Sequence, residues 1–208
     1  MKLLSTTAFR GFQNFSSGEI TGSVSLILVS TLCALILADY CAREFRGNKK
    51  KTMLTFAGIA LFMSMALIGF FGFTAAAIRG AILCLLLVYS SYSDIKTREC
   101  GDAPHILIAV AAFIGIGMGE LPDMLLSAFF VFIIQMFAML VMRADVNGAD
   151  LKLSVACAFL LGTARSLPGM LLGMLLGIIV TLFQSRNRKA AFPLLPYLSA
   201  GFMAAYFL

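Results

Sequence analysis

Apolar residues fall in long runs separated by short polar stretches. Runs over 22–40, 53–73, 75–92, 103–118, 123–142, 165–184 and 191–208 approach the roughly 20 residues that a helix needs to cross a hydrocarbon core about 30 Å thick. An eighth apolar stretch, between Asp150 and Gly162, is too brief to cross upright and reads as a tilted or partly inserted helix. The pattern predicts an all-α fold, a polytopic transmembrane helical bundle of about eight helical segments. It divides into an amino-terminal segment over 1–21, two helices over 22–75 joined by the basic loop "REFRGNKKK", and a six-segment core over 76–208. Residues 1–21 mix Ser, Gly and Phe without a continuous apolar run, and no small-residue cleavage site follows the first span. A removable signal peptide is therefore not expected.

Composition supports the same class. Hydrophobic residues make up 61% of the 208 and charged residues 12%, against roughly 25% charge in soluble domains. The apolar spans leave no stretch long enough for a separate soluble domain, so the bundle itself carries the function. Of the sixteen basic residues, eight crossings place twelve on one side: Arg43, Arg46, Lys49, Lys50, Lys51, Lys96, Arg98, Arg143, Lys152, Arg186, Arg188 and Lys189. Only Lys2, Arg10, Arg79 and Arg165 fall on the other. The positive-inside rule makes the first side cytoplasmic. This bias and attraction to anionic membrane lipid account for the net charge of +6, so no nucleic-acid partner is implied. Cys33, Cys41, Cys84, Cys100 and Cys157 show no C-x-x-C spacing and read as small apolar fillers, without a zinc knuckle or disulfide framework.

Charge at the edge of an apolar span is costly unless paired, hydrated or protonated, and marks a functional site by default. Asp39, Glu44, Asp94, Glu99, Asp102, Asp145 and Asp150 share the cytoplasmic side. Two of them, Asp94 in "YSSYSDIKTRECGDAPHILI" and Asp150 in "DVNGADLKLSVACAFLLG", sit where an apolar helix meets a polar loop beside a basic residue. If the two carboxylates meet, repulsion and burial favour a shared proton, making one a base and the other an acid. That pairing suits aspartic peptide hydrolysis: one carboxylate activates water while its protonated partner polarises the scissile carbonyl. No metal, cofactor or covalent intermediate is needed.

At these residues the chain resembles the type IV prepilin peptidases and archaeal preflagellin peptidases, membrane aspartic proteases. The family's first motif is an aspartate, three residues, an arginine, then typically Ile-Pro-Asn. Asp94 and Arg98 fit, while Cys100, Gly101 and Asp102 replace the last three. Its second motif is Gly-x-Gly-Asp, a small or apolar residue, and Lys. "NGADLKL" keeps Gly148, Asp150 and Lys152 but carries Asn147 and Ala149 at the flanking glycine positions. Pro193, Pro196 and Gly201 in "FPLLPYLSAG" resemble the Pro-rich start of the family's last helix. The resemblance implies a prepilin leader peptidase with Asp94 and Asp150 as catalytic residues, and Arg98, Gly148, Lys152 and Asp102 as dyad support or substrate-binding residues. It further implies a prepilin-like substrate with a short basic leader, a glycine before the cut and an apolar helix after it. Glu99, Asp102 and Asp145 are available to pair with the leader. Bifunctional members carry an amino-terminal methyltransferase region with paired C-x-x-C motifs, which is missing here. The departures at Gly101 and Ala149 bear on loop geometry and cleavage efficiency.

Structural roles compete with these functional ones. Asp150 suits a helix cap before "LKLSVACAFLLG" and Asp102 an N-cap before "APHILI". Arg98, Lys96 and Lys152 suit interfacial snorkelling, His105 a hydrogen-bonded helix residue, Asp145 a solvated loop charge, and Asp39 with Arg43 a helix-end ion pair. Gly115 and Gly119, and Gly169, Gly173 and Gly177, recur at the spacing of close helix packing. Gly148 reads as a loop glycine that either lets the backbone approach a peptide or serves an ordinary turn. Two other functions remain open: a proton- or cation-coupled transporter component, and a catalytically silent assembly protein.

Overall fold

A computed structural model of the chain describes residues 17–142, 148–183 and 193–208. Asp145, Arg143, Asn147, the basic residues of 186–189 and most of the amino-terminal segment lie outside the described residues. The protein is all-α, with helices α1 (Ser17–Glu44), α2 (Lys49–Phe71), α3 (Ala75–Thr97), α4 (Ala103–Ala111), α5 (Leu121–Met142), α6 (Gly148–Leu161), α7 (Thr163–Phe183) and α8 (Leu195–Tyr206), and a 3₁₀ turn at Met118–Glu120. Among the described residues, five segments are long and apolar enough to cross a membrane: Ser17–Glu44, Lys49–Phe71, Ala75–Thr97, Met118–Phe137 and Thr163–Phe183. Leu28, Leu54, Phe62, Leu140 and Leu182 are among the many large apolar side chains exposed on these helices, the surface expected of a helix whose solvent is lipid.

Two expected spans are corrected. The run 103–118 is helical only over the nine residues of α4, because glycine breaks it: Gly115 takes a left-handed φ of 70°. Gly115 therefore turns the chain, and Gly119 lies in the 3₁₀ turn; neither packs helices together. The run 191–208 yields the 12-residue α8, starting after Pro193. Like α6, with 14 residues, these helices are too short to cross upright.

The chain divides into two compact units, one through Leu85 with Phe207, the other from Leu86 to Tyr206 with Leu208. In the first, α1 and α2 pack through small residues. Ser30, Ala34, Ala38 and Cys41 are buried on α1, as are Thr52, Phe56, Ala60 and Ser64 on α2, a recurrence of three or four residues that keeps one narrow stripe facing the partner. The Ser30 and Ser64 hydroxyls are 2.6 Å apart. At the connecting turn, Asp39 pairs with Arg43, as its spacing predicts, and also with Lys49, each at 2.6 Å.

In the second unit, α7 and α8 approach most closely through glycine. A Cβ on Gly201 would lie 2.4 Å from the Gly173 nitrogen, and one on Gly173 would lie 2.7 Å from the Leu198 Cα. The expected packing role of Gly169 and Gly173 is met by their contacts with Phe202 and Leu198. Polar pairs fix the register of the other helices. Gln135 on α5 donates to Ser154 on α6 at 2.7 Å, and the Ser127 and Ser166 hydroxyls meet at 2.6 Å. Asp123 on α5 accepts the Thr163 N–H at 3.1 Å and the Thr163 hydroxyl, so an acid from one helix caps the start of α7. Leu153 and Cys157 of α6 and Leu195, Leu198 and Phe202 of α8 are fully buried.

Candidate active site

The last turn of α3 carries Asp94. Ser93 beside it donates to the Glu99 carbonyl at 2.7 Å, and the Thr97 hydroxyl reaches the same carbonyl at 3.0 Å, so the chain folds back immediately after the helix. The turn is completed by Arg98, whose N–H donates to the Asp94 carbonyl at 3.0 Å and whose φ is 61°. Helices commonly end in this left-handed conformation, but glycine usually supplies it. The expected snorkelling arginine thus also has a backbone role, and its charge acts on the Asp94 carboxylate.

Asp94 is 4% exposed, and its Oδ2 accepts the N–H of Leu195 at 3.3 Å. Leu195 is the first residue of α8, so one of the donors left unpaired at a helix start orients this carboxylate. The motif "FPLLPYLSAG" contributes a backbone donor to the site. Nothing in the sequence pattern alone pairs Leu195 with Asp94, 101 residues away.

Asp150 comes from the first turn of α6 and is 8% exposed. It is the third residue of the helix, inside the N-cap position that its sequence suggests, and its side chain is buried. Burial pushes its carboxyl up to about 7, and the charge of Asp94 adds to the rise. Both sequence-predicted aspartates are nearly excluded from solvent, and the charge of Asp94 acts on Asp150. A carboxyl raised to about 7 near a second acid can exchange a proton close to neutral pH.

The flanking residues divide. Asp102 stands at the N-cap position of α4 but makes no capping hydrogen bond. Its φ of −75° and ψ of −22° are helical, not the extended values a capping side chain needs. The carboxylate instead accepts from Lys152 Nζ at 2.6 Å, and that bond, with the lysine charge, holds it below the usual carboxylate range. The N-cap expectation for Asp102 and the snorkelling expectation for Lys152 are both replaced by this exposed ion pair. It ties the loop before α4 to the first turns of α6. Lys96 lies 5.8 Å from the Tyr92 ring centroid. Gly148 opens α6 instead of sitting in a loop; it is exposed, and a Cβ there would meet no atom within 4 Å.

Two residues have more prominent positions than the sequence reading gave them. Cys100, taken as a filler, stands half-buried at the site. Burial pushes its thiol up, Ser90 opposes the rise, and Asp94, Asp102 and Asp150 all add to it. The signal for this was its place in the first motif, six residues after Asp94. His105 is 5% exposed, and backbone hydrogen bonds with Asp102 and Gly101 act on its ring. Burial, the largest influence, pushes its pKa down.

Residues 81–182 match the model of the type IV leader peptidase family, a stretch that includes both aspartates and the loop residues between α3 and α4. No curated protein matches the chain, and no solved structure does.

Proposed function

Because residues 81–182 of the chain belong to the type IV leader peptidase family, we propose that the protein is a membrane aspartic endopeptidase that removes the leader of prepilin-like proteins. The observation that carries this reading is the burial of both Asp94 and Asp150, with Asp150 raised to about 7 by burial and by the charge of Asp94. Such a pair has both forms required at neutral pH. The ionised carboxylate takes a proton from water as the water oxygen attacks the scissile carbonyl carbon. The protonated partner gives its proton to the carbonyl oxygen, and the tetrahedral intermediate collapses with a proton passed to the departing amine. The Leu195 N–H holds Asp94 in place, and the charge of Arg98 acts on it.

The substrate reading rests on the bundle's two solvents. An apolar substrate helix lies in lipid while its short basic leader stays on the cytoplasmic side, bringing the junction to the face formed by the end of α3 and the start of α6. Exposed Glu99 is available to the leader, whereas Asp102 is engaged by Lys152. Open space at Gly148 admits a peptide backbone. The two plain helices α1 and α2 stand where bifunctional relatives would carry paired C-x-x-C motifs, so the processed substrate keeps an unmodified amino terminus.

Cleavage of a prepilin by purified protein in liposomes tests the proposal. Asp94→Asn and Asp150→Asn each reduce the rate by several orders of magnitude, and the double change is little worse, because residues acting as a unit are not additive. Asp145→Asn retains most activity. A well-folded Asp94→Asn protein that cuts at the wild-type rate eliminates the mechanism.

A further inference from the structure

Asp94 and Asp150 are unequal in what reaches them. The Leu195 N–H donates to Asp94 Oδ2 at 3.3 Å, a bond that strengthens when its acceptor carries a full negative charge. Among the described residues, no hydrogen bond reaches the Asp150 carboxyl, on which burial and the charge of Asp94 act.

The start of α8 is built to present that one donor. Proline has no N–H, so Pro196 offers none at the second position of the helix, and the N–H groups of Tyr197 and Leu198 go to the Leu194 carbonyl. Leu195 is the residue of this turn whose N–H goes to a side chain. The helix behind it is fixed in place: Leu195, Leu198 and Phe202 are fully buried, and Gly201 lies against the backbone of α7 at Gly173. No charged side chain occurs on α8, so it acts on Asp94 through this N–H and the positive end of its dipole.

Asp150 also stands in the first turn of a helix, where the dipole favours an anion. Burial outweighs it, since the carboxyl is pushed up to about 7. The neighbouring charges keep the same order. Arg98 acts on Asp94, and Lys152 is engaged by Asp102 in an exposed ion pair. Lys96 and Glu99 are exposed, while burial keeps the Cys100 thiol and the His105 ring neutral.

Resting on the peptidase reading, we propose that the two aspartates have fixed and different tasks: Asp94 is the base that takes a proton from water, and Asp150 is the acid that gives its proton to the scissile carbonyl oxygen. The start of α8 is the positioning element that sets this division. The water oxygen bonds to the carbonyl carbon as Asp94 accepts the water proton, and the carbonyl π pair takes the proton of Asp150. Asp94 then passes its proton to the departing nitrogen, the C–N bond breaks, and a hydroxyl of the intermediate returns its proton to Asp150. The pair ends as it began, with Asp94 ionised and Asp150 protonated.

Infrared spectroscopy of the full chain in liposomes tests the assignment, read at the carbonyl stretch of a protonated carboxyl just below the pH at which Asp150 titrates. Ordinary exposed carboxyls are ionised there. The band should be present in the wild type, survive in Asp94→Asn and vanish in Asp150→Asn. A band that vanishes in Asp94→Asn and survives in Asp150→Asn reverses the tasks. One absent from the wild type, lost from both variants or kept by both overturns a fixed division.

Two substitutions of Leu195 test the part played by α8. Leu195→Pro removes the N–H at a helix start, where proline is tolerated, whereas Leu195→Ala truncates the same buried side chain and keeps the N–H. Relative to Leu195→Ala, the proline variant should have a lower kcat at similar KM. The low-pH limb of its leader-cleavage profile should lie higher by about one to two pH units, the effect of losing a hydrogen bond to a charged group. Coincident profiles overturn the positioning role. The infrared result decides the division of tasks even where Leu195→Pro does not fold. It also does not depend on cleavage: a wrong assignment gives an exchanged band in a protein that cuts, and a wrong peptidase reading gives a wild type that does not cut, whatever its band.

Discussion

Replacing Asp150 by Asn exchanges a buried carboxyl for a neutral group of the same shape and leaves α6 with the same helical contacts. The wild-type carboxyl is lifted from its ordinary 3.8 to about 7, first by burial and then by Asp94. The folded protein therefore holds a proton that the unfolded chain releases once the pH passes about 4. Stability falls wherever the unfolded state binds fewer protons than the native state, so it declines as pH rises from about 4 to about 7 and levels off above. A tenfold change in an ionisation constant is worth about 1.4 kcal/mol. Across about three decades the penalty reaches about 4 kcal/mol at pH 8, a large fraction of the ~5–15 kcal/mol that typically holds a domain together. Asp150→Asn removes this penalty and its pH dependence.

Unfolding of the two proteins in mixed micelles across this pH range measures the effect. At pH 4 the curves should nearly coincide, and at pH 8 the Asn variant should be the more stable by up to about 4 kcal/mol. In an Asp94→Asn background the wild-type decline should persist but end at lower pH, because the contribution of burial remains while that of Asp94's charge is gone. If Asp150→Asn loses stability with pH as steeply as the wild type, the raised carboxyl is not Asp150 and the account of the pair is wrong.

Leader cleavage should decline as pH rises past about 7, where the shared proton is lost; a rate that climbs steadily to pH 9 would exclude a carboxylic acid as proton donor. Gly201→Ala places a methyl group 2.4 Å from the Gly173 nitrogen and should cost about 1–3 kcal/mol by overpacking, read as a lower unfolding midpoint. Asp102→Asn breaks an exposed ion pair and should leave stability unchanged within measurement, so a large loss would show that the α4–α6 tie is structural. Cysteine labelling should find residues 98 and 147 on the same membrane side, and opposite-side reports would abolish the dyad.

The all-α class and the approximate limits of the long helices were legible because burial in lipid demands long apolar runs, and such runs have few alternatives. The aspartates were legible because charge is rare in this chain and both occur at the mouth of an apolar run. The influence of Asp94 on Asp150 was signalled only by the joint motif, since periodicity says nothing about which helix ends converge. The short helices were read too long: hydropathy counts Ile114 and Ile116 as apolar, but Gly115 between them turns the backbone. Asp102 was read as a cap from its position, and Lys152, 50 residues on, offers a charged partner that local sequence rules do not see.

The short helices also bear on how the site can exist in a membrane. A full-length span places its ends about 30 Å apart, in both headgroup regions, and its middle in hydrocarbon, where neither a carboxylate nor a water nucleophile is tolerated cheaply. Helices of 9, 14 and 12 residues let polar ends be brought to the end of a long helix without each having to cross. The end of α3 supplies Asp94, the start of α6 supplies Asp150, and the start of α8 supplies the N–H that orients Asp94. The loop before α4 brings Cys100 within the influence of both acids. Burial is sufficient to raise Asp150, and Asp150 lies in the first turn of a helix that opens at exposed Gly148. Lengthening α6 at its amino end would carry Asp150 further from the exposed start of the helix and raise its desolvation cost. A short α6 therefore suits a buried carboxyl that titrates near neutral pH.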